Sequence, residues 1–430
     1  MGVSPATHHS HHKGTTMGAT AITARPFMSN AGHAKTVTPL LIAAVVLLGA
    51  VGPLATDMYV PAFPHVTADL GASIGSVQLT LTTFFLGMGL GQLIGGPVSD
   101  QIGRKRPLLV GTVVTLVASV ICAMAPTIGI MLVARFFQGL GAGWAMVIGR
   151  AVIVDLAHGS QLVRVMNVLM GVGALAPMIA PLIGAFILRF SVWRNAFWLI
   201  AVLTIVMFLA ALLVIPESLP PAKRHGGGLQ AFVRNSRVVL ANRRFVGYML
   251  TNAATGVALF AYVASSPILI QVRNGLSPMT YSVDFAANAG GMMIMTLLAA
   301  RLATRVNTRK VMFTGQSMAL VGSLIMMTGA VWFNAHWTFL LPSFFLLMAG
   351  QGLIGPNGGA LASAEVPQYA GTASAVLGLT MSLSFSISPP IVALFGEGSA
   401  FGPALMFLLG ALASMFFLLV VARPKAGAGL

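Results

Sequence analysis

The sequence predicts an all-α membrane protein whose twelve transmembrane helices form two six-helix bundles with a central cavity between the halves. Three observations support this fold class. Hydrophobic residues make up 57% of the 430 residues and charged residues only 7%, the apolar residues fall into twelve segments, and a basic loop divides these into six and six. Soluble domains carry about 25% charged residues, so lipid must cover most of this chain.

Each apolar segment is long enough to cross a bilayer, which takes about 20 apolar residues. The segments lie at about 39–62, 76–98, 107–125, 128–153, 163–188, 194–215, 245–271, 280–302, 309–331, 337–361, 369–394 and 401–422. The longest internal loop, 216–244, follows the sixth segment and is basic. We therefore predict an N-terminal bundle over 37–215, a cytoplasmic linker over 216–244 and a C-terminal bundle over 245–422.

The two ends of the chain are predicted to be tails. Residues 1–36 are small and polar and are expected to be a disordered cytoplasmic tail, with a short second tail at 423–430. The histidines of the first tail are a possible metal-binding tract, but an unstructured tail, with Met17 or Met28 as an alternative start, is favoured and no metal site is predicted. These histidines are His8, His9, His11 and His12.

The distribution of Lys and Arg predicts the orientation. Of the 24 basic residues, nineteen lie in the two tails and in the loops on the same side as the tails. Arg189, Arg194 and Arg273 lie on the opposite side, and Arg135 and Arg150 lie in the fourth segment. Because basic residues collect in cytoplasmic loops, both termini are expected in the cytoplasm, at the cell (inner) membrane. The net charge of +16 then reflects topology, and no nucleic-acid partner is predicted.

The loops 95–106 and 300–310 are short basic turns at the same place in each half. Parallel six-helix repeats with a binding site near the midplane are a transporter architecture. The sequence contains no metalloprotease, hydrolase-elbow or P-loop pattern, and its largest loop is too short for a catalytic domain. A transporter is therefore favoured over a membrane enzyme or receptor.

The loop at 95–106 resembles the signature G-x-x-(S/A)-D-x-x-G-R-(K/R) of the major facilitator superfamily. The residues that carry the match are Gly95, Asp100, Gly103 and Arg104. The resemblance implies a gating loop in which Asp100 pairs with Arg104 and caps the eleventh helix, with Asp155 joining from the fourth. Such a latch would close the inner side of the outward-open state, whereas the alternative is a solvated loop that only sets topology.

The fourth segment contains Arg135, Gln138 and Gly139, which are similar to the R-x-x-Q-G motif of the same superfamily. An arginine in the hydrocarbon zone is costly unless it is paired or hydrated. Arg135 lies about a third of the way into its span, so we expect a cavity or partner role. Arg150 lies near the inner end, where snorkelling to the interface and a functional role are equally compatible with its position.

The fifth segment contains Pro177, Pro181 and Gly184, and it looks like the G-P-x-x-G-G antiporter motif of drug-exporting members. Ala180 and Ala185 stand where that motif has glycines. Small residues at this spacing allow close helix packing, and packing alone is the alternative explanation.

The stretch 53–64 reads PLATDMYVPAFP and resembles the T-D-M-Y-x-P-A-x-P stretch of the Bcr/CflA drug-resistance subfamily. Residues 193–198 and 370–375 resemble it too, and the likeness covers nearly all of the chain after residue 37. It implies a monomeric drug:H+ antiporter, which exports small amphipathic drugs or antibiotics by alternating access. Such a protein exchanges protons and uses the proton gradient with no cofactor. An importer or exporter of a small metabolite on the same fold is the alternative.

By this resemblance, Asp57 is the proton and substrate site. It is the only acid inside the first six segments and away from their ends. Burial disfavours the charged form of a carboxyl group, so such an acid can exchange a proton and attract a cation. The alternative is an outer helix end in water, because Pro61 and Pro64 follow closely. No second acid lies between residues 45 and 55, which argues against two acids in this helix.

Three further acids, Asp284, Glu365 and Glu397, are expected at membrane interfaces rather than in the transport site. Neutral polar side chains are candidates for lining the cavity. These are Tyr59, Asn252, Tyr262 and Asn288.

Overall fold

The computed structural model describes residues 1–2, 38–224, 228–302, 305–396 and 398–423. The described residues contain fourteen α-helices: α1 Pro39–Asp57, α2 Phe63–Leu70, α3 Ile74–Ile102, α4 Lys105–Met124, α5 Ile128–Leu156, α6 Gly159–Phe190, α7 Arg194–Leu213, α8 Gly228–Ala241, α9 Arg243–Pro267, α10 Pro278–Leu302, α11 Thr308–Trp332, α12 Trp337–Ala364, α13 Ala370–Leu394 and α14 Phe401–Phe416. The histidine tract, Glu397 and nearly all of both predicted tails lie outside the described residues.

These helices supply twelve spans. A 3-10 turn, Val60–Ala62, joins α1 and α2 into the first span, and π-helical turns extend α9 to Arg273 and α14 to Val421. Among the described residues, eleven helices are long and apolar enough to cross a membrane. The twelfth is α6, which has 32 residues. Helices α3 to α7 are spans two to six, and α9 to α14 are spans seven to twelve. The predicted all-α fold with twelve spans is confirmed.

Two local predictions differ from the structure. The first segment was expected to end at 62, but helix continues to Leu70, because Pro61 and Pro64 occupy first-turn positions, where proline costs no hydrogen bond. The linker 216–244 contains the helix α8. Its residues Phe232 and Val239 pack into an apolar cluster, while the basic residues on its other face are exposed. This amphipathic pattern explains how so charged a segment is helical.

The loops define two ends of the bundle. We call the end that carries the loops at 71–73 and 274–277 the Asp57 end, and the end that carries the loop at 103–104 and the linker with α8 the Arg104 end. Between them, large apolar side chains face outward. On α4, for example, Val113, Val117 and Ile121 are exposed at helical spacing, as expected of a surface that contacts lipid.

The two halves repeat the same packing. In the first half, α3 packs on α5, α4 on α7 and α1 on α6; in the second, α10 packs on α12, α11 on α14 and α9 on α13. These are corresponding pairs when spans one to six are matched to spans seven to twelve. The halves meet through α3 with α13 and α6 with α10. The limits of the two bundles within the sequence stay predictions.

A seam of glycines joins α3 to α5. A Cβ atom at Gly139 would lie 1.9 Å from the Phe84 carbonyl oxygen, and one at Gly143 would lie 2.2 Å from that of Met88. The two backbones are therefore in direct contact, which only glycine permits. This seam fixes α5, the helix that carries both Arg135 and Asp155.

Candidate functional site

Asp57 is the last residue of α1 and is only 7% exposed. The Thr56 hydroxyl donates a hydrogen bond to its carboxylate at 3.1 Å, and none of the ion pairs among the described residues includes Asp57. A Cβ atom at Gly184 would lie 2.1 Å from the Met58 carbonyl oxygen, so α6 touches the chain directly after Asp57. A helix end in water, the alternative for Asp57, does not fit this packing.

Arg135 lies fully buried on α5. Its Nη1 donates to the Ala55 carbonyl oxygen at 2.9 Å and to Gln138 Oε1 at 2.6 Å. Gln138 in turn donates to the Ser119 hydroxyl at 2.9 Å. The R-x-x-Q-G residues therefore anchor the arginine to the end of α1, next to Asp57.

The Arg135 guanidinium also lies over aromatic rings, at 4.4 Å from the Phe84 centroid and 5.3 Å from that of Tyr59. Such cation–π contacts stabilise a desolvated cation. Its Nε and Nη2 have no hydrogen-bond partner among the described residues, and Asp57 lies within electrostatic range. The buried Arg135 guanidinium, with two unpaired N–H groups, thus lies near the buried Asp57 carboxylate without forming a described ion pair.

The two halves are bridged around Asp57. Side-chain donors reach backbone carbonyl oxygens of the other half at 2.9 to 3.2 Å, in the pairs Gln271 with Pro61, Gln78 with Ala264, Thr82 with Ser386 and Ser282 with Pro181. Aromatic rings of both halves, Phe85, Phe260 and Phe385, meet with centroids 4.0 to 5.2 Å apart. These contacts close the interface at the Asp57 end. Pro181 takes part through its carbonyl oxygen, while Pro177 lies inside the same helix α6.

The four side chains predicted to line the cavity are all packed in the interior, at 5% exposure or less. Thr80 donates to the Tyr59 hydroxyl at 3.3 Å, and Asn288 donates to that of Tyr262 at 3.1 Å. Asn252 lies between α9 and α12, where it donates to the Gly355 carbonyl oxygen at 3.4 Å. Their role as cavity residues stays a prediction.

Arg150 lies on α5 in a different setting. It is exposed and lines a cavity of about 70 Å³ between α1, α5 and α6, together with Val46, Gly49 and Gly173. This position is compatible both with snorkelling of Arg150 to the interface and with a functional role.

The gating residues meet at the Arg104 end. Arg104 donates to Asp100 at 2.5 Å, to Asp155 at 2.9 Å and to the Ser99 hydroxyl at 2.7 Å. The Arg104 side chain is 8% exposed, whereas that of Asp100 is 51% exposed. Within the described ranges, Asp100 makes no bond to α13, the eleventh span. The predicted cap on that helix therefore stays a prediction.

A further acid, Glu217, belongs to this cluster and was missed by the sequence reasoning. It accepts the backbone N–H groups of Arg104 at 2.8 Å and Lys105 at 3.2 Å, which are the free donors that begin α4. Partial burial alone would raise the pKa of Glu217, but the backbone donors of Arg104, Leu219 and Lys105 and the charge of Arg224 lower it below its usual value. The sequence signal that could have indicated Glu217 is its position directly after the sixth span.

Gly103 makes this capping possible. Its φ is +99°, and a Cβ atom there would lie 2.6 Å from Glu217 Oε2. Both the backbone conformation and the space require glycine. By contrast, a Cβ atom at Gly95 would lie 3.1 Å from the Trp144 ring, so that glycine serves the contact between α3 and α5.

The two described acids of the second half, Asp284 and Glu365, lie in different settings. Asp284 is partly buried on α10, where Asn288 donates to it at 3.0 Å, so it points towards interior residues instead of the interface that was expected. Glu365 pairs with Arg244 at 3.5 Å at the Arg104 end.

The profile of the Major Facilitator Superfamily matches residues 45–389 and 275–429. The chain belongs to this superfamily. It is therefore a multi-pass transport protein and not an enzyme, and the resemblance of its motifs to the superfamily is confirmed.

Relatives of this transporter include members named for drug resistance. It is 32% identical to an uncharacterized MFS-type transporter, YdgK, of Bacillus subtilis, over 86% of this chain and 92% of the relative. It is 28% identical to a bicyclomycin resistance protein homolog of Haemophilus influenzae, over 79% and 85%. It is also 28% identical to the multidrug resistance protein MdtL of Klebsiella pneumoniae, over 87% and 93%.

Solved structures share the fold at low identity. A D-xylose–proton symporter matches with a TM-score of 0.69 and 17% identity, over 91% of this chain and 99% of that protein. The human organic anion transporter MFSD10 matches with a TM-score of 0.63 and 18% identity, over 87% and 99%. In the part of the chain that the structure describes, no group of three or more His, Cys, Asp or Glu residues is placed to hold a metal ion.

Proposed function

We propose that this transporter is a proton-coupled exporter of small amphipathic drugs or antibiotics that works by alternating access. The observation that carries the proposal is the buried Asp57, which lies where the halves meet and near Arg135 without a described ion pair. An ionisable residue inside a membrane span is a functional-site hypothesis by default. The relatives named for bicyclomycin and multidrug resistance support the class of substrate.

Asp57 would bind a proton and the substrate alternately. A proton that enters from outside neutralises the carboxylate and releases the drug, and loss of the proton to the cytoplasm restores the charge that attracts the next drug molecule. Arg135, anchored by Gln138 and the Ala55 carbonyl, keeps the ionised carboxylate tolerable in the membrane. Inward proton flow supplies about 2.3 kcal/mol per charge per 100 mV.

We infer that the Arg104 end faces the cytoplasm of the cell membrane, because the basic loops lie there. The bridged Asp57 end is then the outer side, closed in this conformation. Opening of that side would require the bonds from Gln78, Gln271 and Ser282 to break, while Asp100 engages the eleventh span at the other end. The transporter is proposed to act as a monomer and to need no cofactor besides the proton gradient.

Orientation has a direct test that uses the chain's single cysteine. Cys122 is fully buried, so its replacement by Ala gives a background for His65→Cys at the Asp57 end and Asn307→Cys at the Arg104 end. An impermeant maleimide added to intact cells is expected to label the former and spare the latter. The reverse pattern would contradict the proposed orientation.

Everted membrane vesicles test the transport activity. Vesicles that contain the wild type are expected to take up ethidium, tetraphenylphosphonium or chloramphenicol when the lumen is acidified, and Asp57→Asn is expected to abolish that uptake. Asp57→Glu keeps the carboxylate and should retain part of it, and Glu365→Gln is the control acid outside the site. Full drug-driven proton exchange in Asp57→Asn would overturn the mechanism. Energy-dependent accumulation of a metabolite by intact cells would favour the importer instead.

A further inference from the structure

A second carboxylate, Asp284, lies on the C-terminal half of the same interface. It is less than two turns from the start of α10, inside the eighth span. Its Oδ2 accepts a hydrogen bond from Asn288 at 3.0 Å, and the same amide nitrogen donates to the Tyr262 hydroxyl at 3.1 Å. Asn288 and Tyr262 are buried, so this bonding holds Asp284 towards the protein interior.

Asp284 and Asp57 lie on elements that pack together, because α10 contacts the turn Val60–Ala62 that follows Asp57. The hydroxyls of Tyr262 on α9 and Tyr281 on α10 each lie within electrostatic range of both carboxylates, and both tyrosines are fully buried. The two acids, one from each half, therefore belong to one polar region at the closed end of the interface.

This region contains polar atoms with unused hydrogen-bonding capacity. The Tyr281 and Ser266 hydroxyls lie beside one another, and neither has another hydrogen-bond partner among the described residues. Both side chains are 0% exposed. Buried polar atoms are nearly always paired, so these hydroxyls are available to a polar or charged group that enters the site.

No cation compensates Asp284 in the described part of the chain. Arg135 is within range of Asp57, and Arg273, at the end of the seventh span, donates instead to Asn334 and Gly398. When both acids are ionised, Asp57, Asp284 and Arg135 together leave one negative charge.

The other described elements around α10 provide no counter-charge bonded to Asp284. His65 of α2 and Arg189 of α6 line a separate cavity at the start of α10, with Ser277, Pro278 and Met279. Helix α12 contains no titratable residue, and the arginines and lysine of α11 lie at the Arg104 end. A lone charge in the membrane interior is costly, so a proton or a cationic ligand must neutralise the pair.

We propose that Asp284 is a second exchangeable carboxylate of the transport site, which binds a proton in one step and the cationic group of an amphipathic substrate in another. This inference rests on the proposed function and deepens it. The second acid that the first helix lacks is supplied by the other half, so the two-acid site is complete only while the halves are closed at the Asp57 end. Lipophilic cations with one charge are the substrate class it selects, because the ionised acids and Arg135 leave one net negative charge.

Proton release on ligand binding tests the inference. Purified full-length transporter in weakly buffered detergent solution is titrated with tetraphenylphosphonium, and bound probe and released protons are measured together. We expect Asp284→Asn to release about half the protons of the wild type per bound probe and to bind the probe about tenfold more weakly. Asp284→Glu should recover the release, and Glu365→Gln should match the wild type.

The outcomes separate the two proposals. If Asp284→Asn releases as many protons as the wild type while Asp57→Asn releases fewer, the inference on Asp284 is overturned and the proposed function stands. If the wild type releases none, both are overturned. If a variant does not bind the probe, its carboxylic acids are followed instead by a pH-jump infrared difference spectrum. The wild type should show two carboxylic-acid bands, one lost in Asp284→Asn, and a single band lost only in Asp57→Asn would refute a second exchangeable acid.

Discussion

The two charged regions of this transporter differ in how their charges are compensated. At the Arg104 end, one guanidinium donates to two carboxylates and a hydroxyl within 2.9 Å, and Glu217 accepts the adjacent backbone donors. At the Asp57 end, Arg135 has two nitrogens without described partners, and Asp57 and Asp284 each accept one hydrogen bond from a neutral side chain of the described residues. Compensated charges hold a loop in place, whereas uncompensated ones are available to a proton or a ligand.

The largest effect is expected from a change that disturbs both regions at once. Gly139→Leu would place side-chain atoms where the Phe84 carbonyl oxygen lies and force α3 from α5. Overpacking of this kind costs about 3 kcal/mol or more, so we expect little folded protein by size-exclusion chromatography and thermal unfolding in detergent. Gly129→Leu on the same helix, where a Cβ atom meets nothing within 4 Å, is the matched control. Equal yields of the two variants would contradict the direct contact between α3 and α5 at Gly139.

Arg135→Met separates function from stability in the buried region. Removing one of two buried opposite charges leaves the other uncompensated and costs stability, but Asp57 can take up a proton instead, so the unfolding temperature should change little at a pH where Asp57 is protonated. Drug uptake by everted vesicles should nevertheless fall by about 100-fold, which corresponds to about 2.8 kcal/mol, because Asp57 loses its nearby cation. Arg135→Lys should keep part of the activity. Retained transport in Arg135→Met would show that the cation is only structural.

Arg104→Ala tests the other region. Its loss leaves Asp155 with only the Ser218 hydroxyl as a described partner, at 2.7 Å, and removes the bond to Asp100, while Glu217 still accepts the backbone N–H of residue 104. We expect transport to slow by about tenfold, or about 1.4 kcal/mol, while the affinity for tetraphenylphosphonium stays at the wild-type value. Arg106→Ala, an exposed change in the same loop, should have little effect. A large loss of affinity in Arg104→Ala would mean that the two regions are not separate.

The smallest effect is expected for Glu217→Gln, and it should depend on pH. Because the pKa of Glu217 is lowered from its usual value of 4.5, the carboxylate stabilises the folded state above that pH, and this contribution is lost as the pH falls through the lowered value. The variant should therefore unfold at a slightly lower temperature than the wild type near neutral pH, and the difference should shrink in acid. A difference that grows in acid would contradict the capping role.

The sequence predicted the parts of this molecule that follow from local pattern. Twelve spans followed from apolar runs, because a bilayer needs a fixed length of apolar helix. The signature loop indicated Gly103, Arg104 and Asp100, and the structure brings the last two together with Asp155. Helix α8 was not found, because its apolar face is narrow and the basic linker around it was taken for a loop.

The rest depends on which helices meet, and the sequence does not contain that information locally. Asp284 lies near the start of its helix, so it was expected at the interface, but α6 and the turn after α1 pack against α10. Glu217 stands 113 residues from the backbone N–H of Arg104 that it accepts. Tyr262 and Asn288 were found as polar residues within spans, yet the bond from Asn288 to the Tyr262 hydroxyl needed the packing of α9 on α10.

The pH dependence of tetraphenylphosphonium affinity tests most directly whether the uncompensated carboxylates couple the probe to protons. Affinity is measured from pH 6 to 8, a window of about two units around neutrality, for the wild type, Asp57→Asn and Arg104→Ala. We predict that the wild-type affinity weakens as the pH falls because protons compete for the site, that Asp57→Asn flattens this dependence, and that Arg104→Ala keeps it unchanged. A wild-type slope in Asp57→Asn, or a flattened one in Arg104→Ala, would contradict the account.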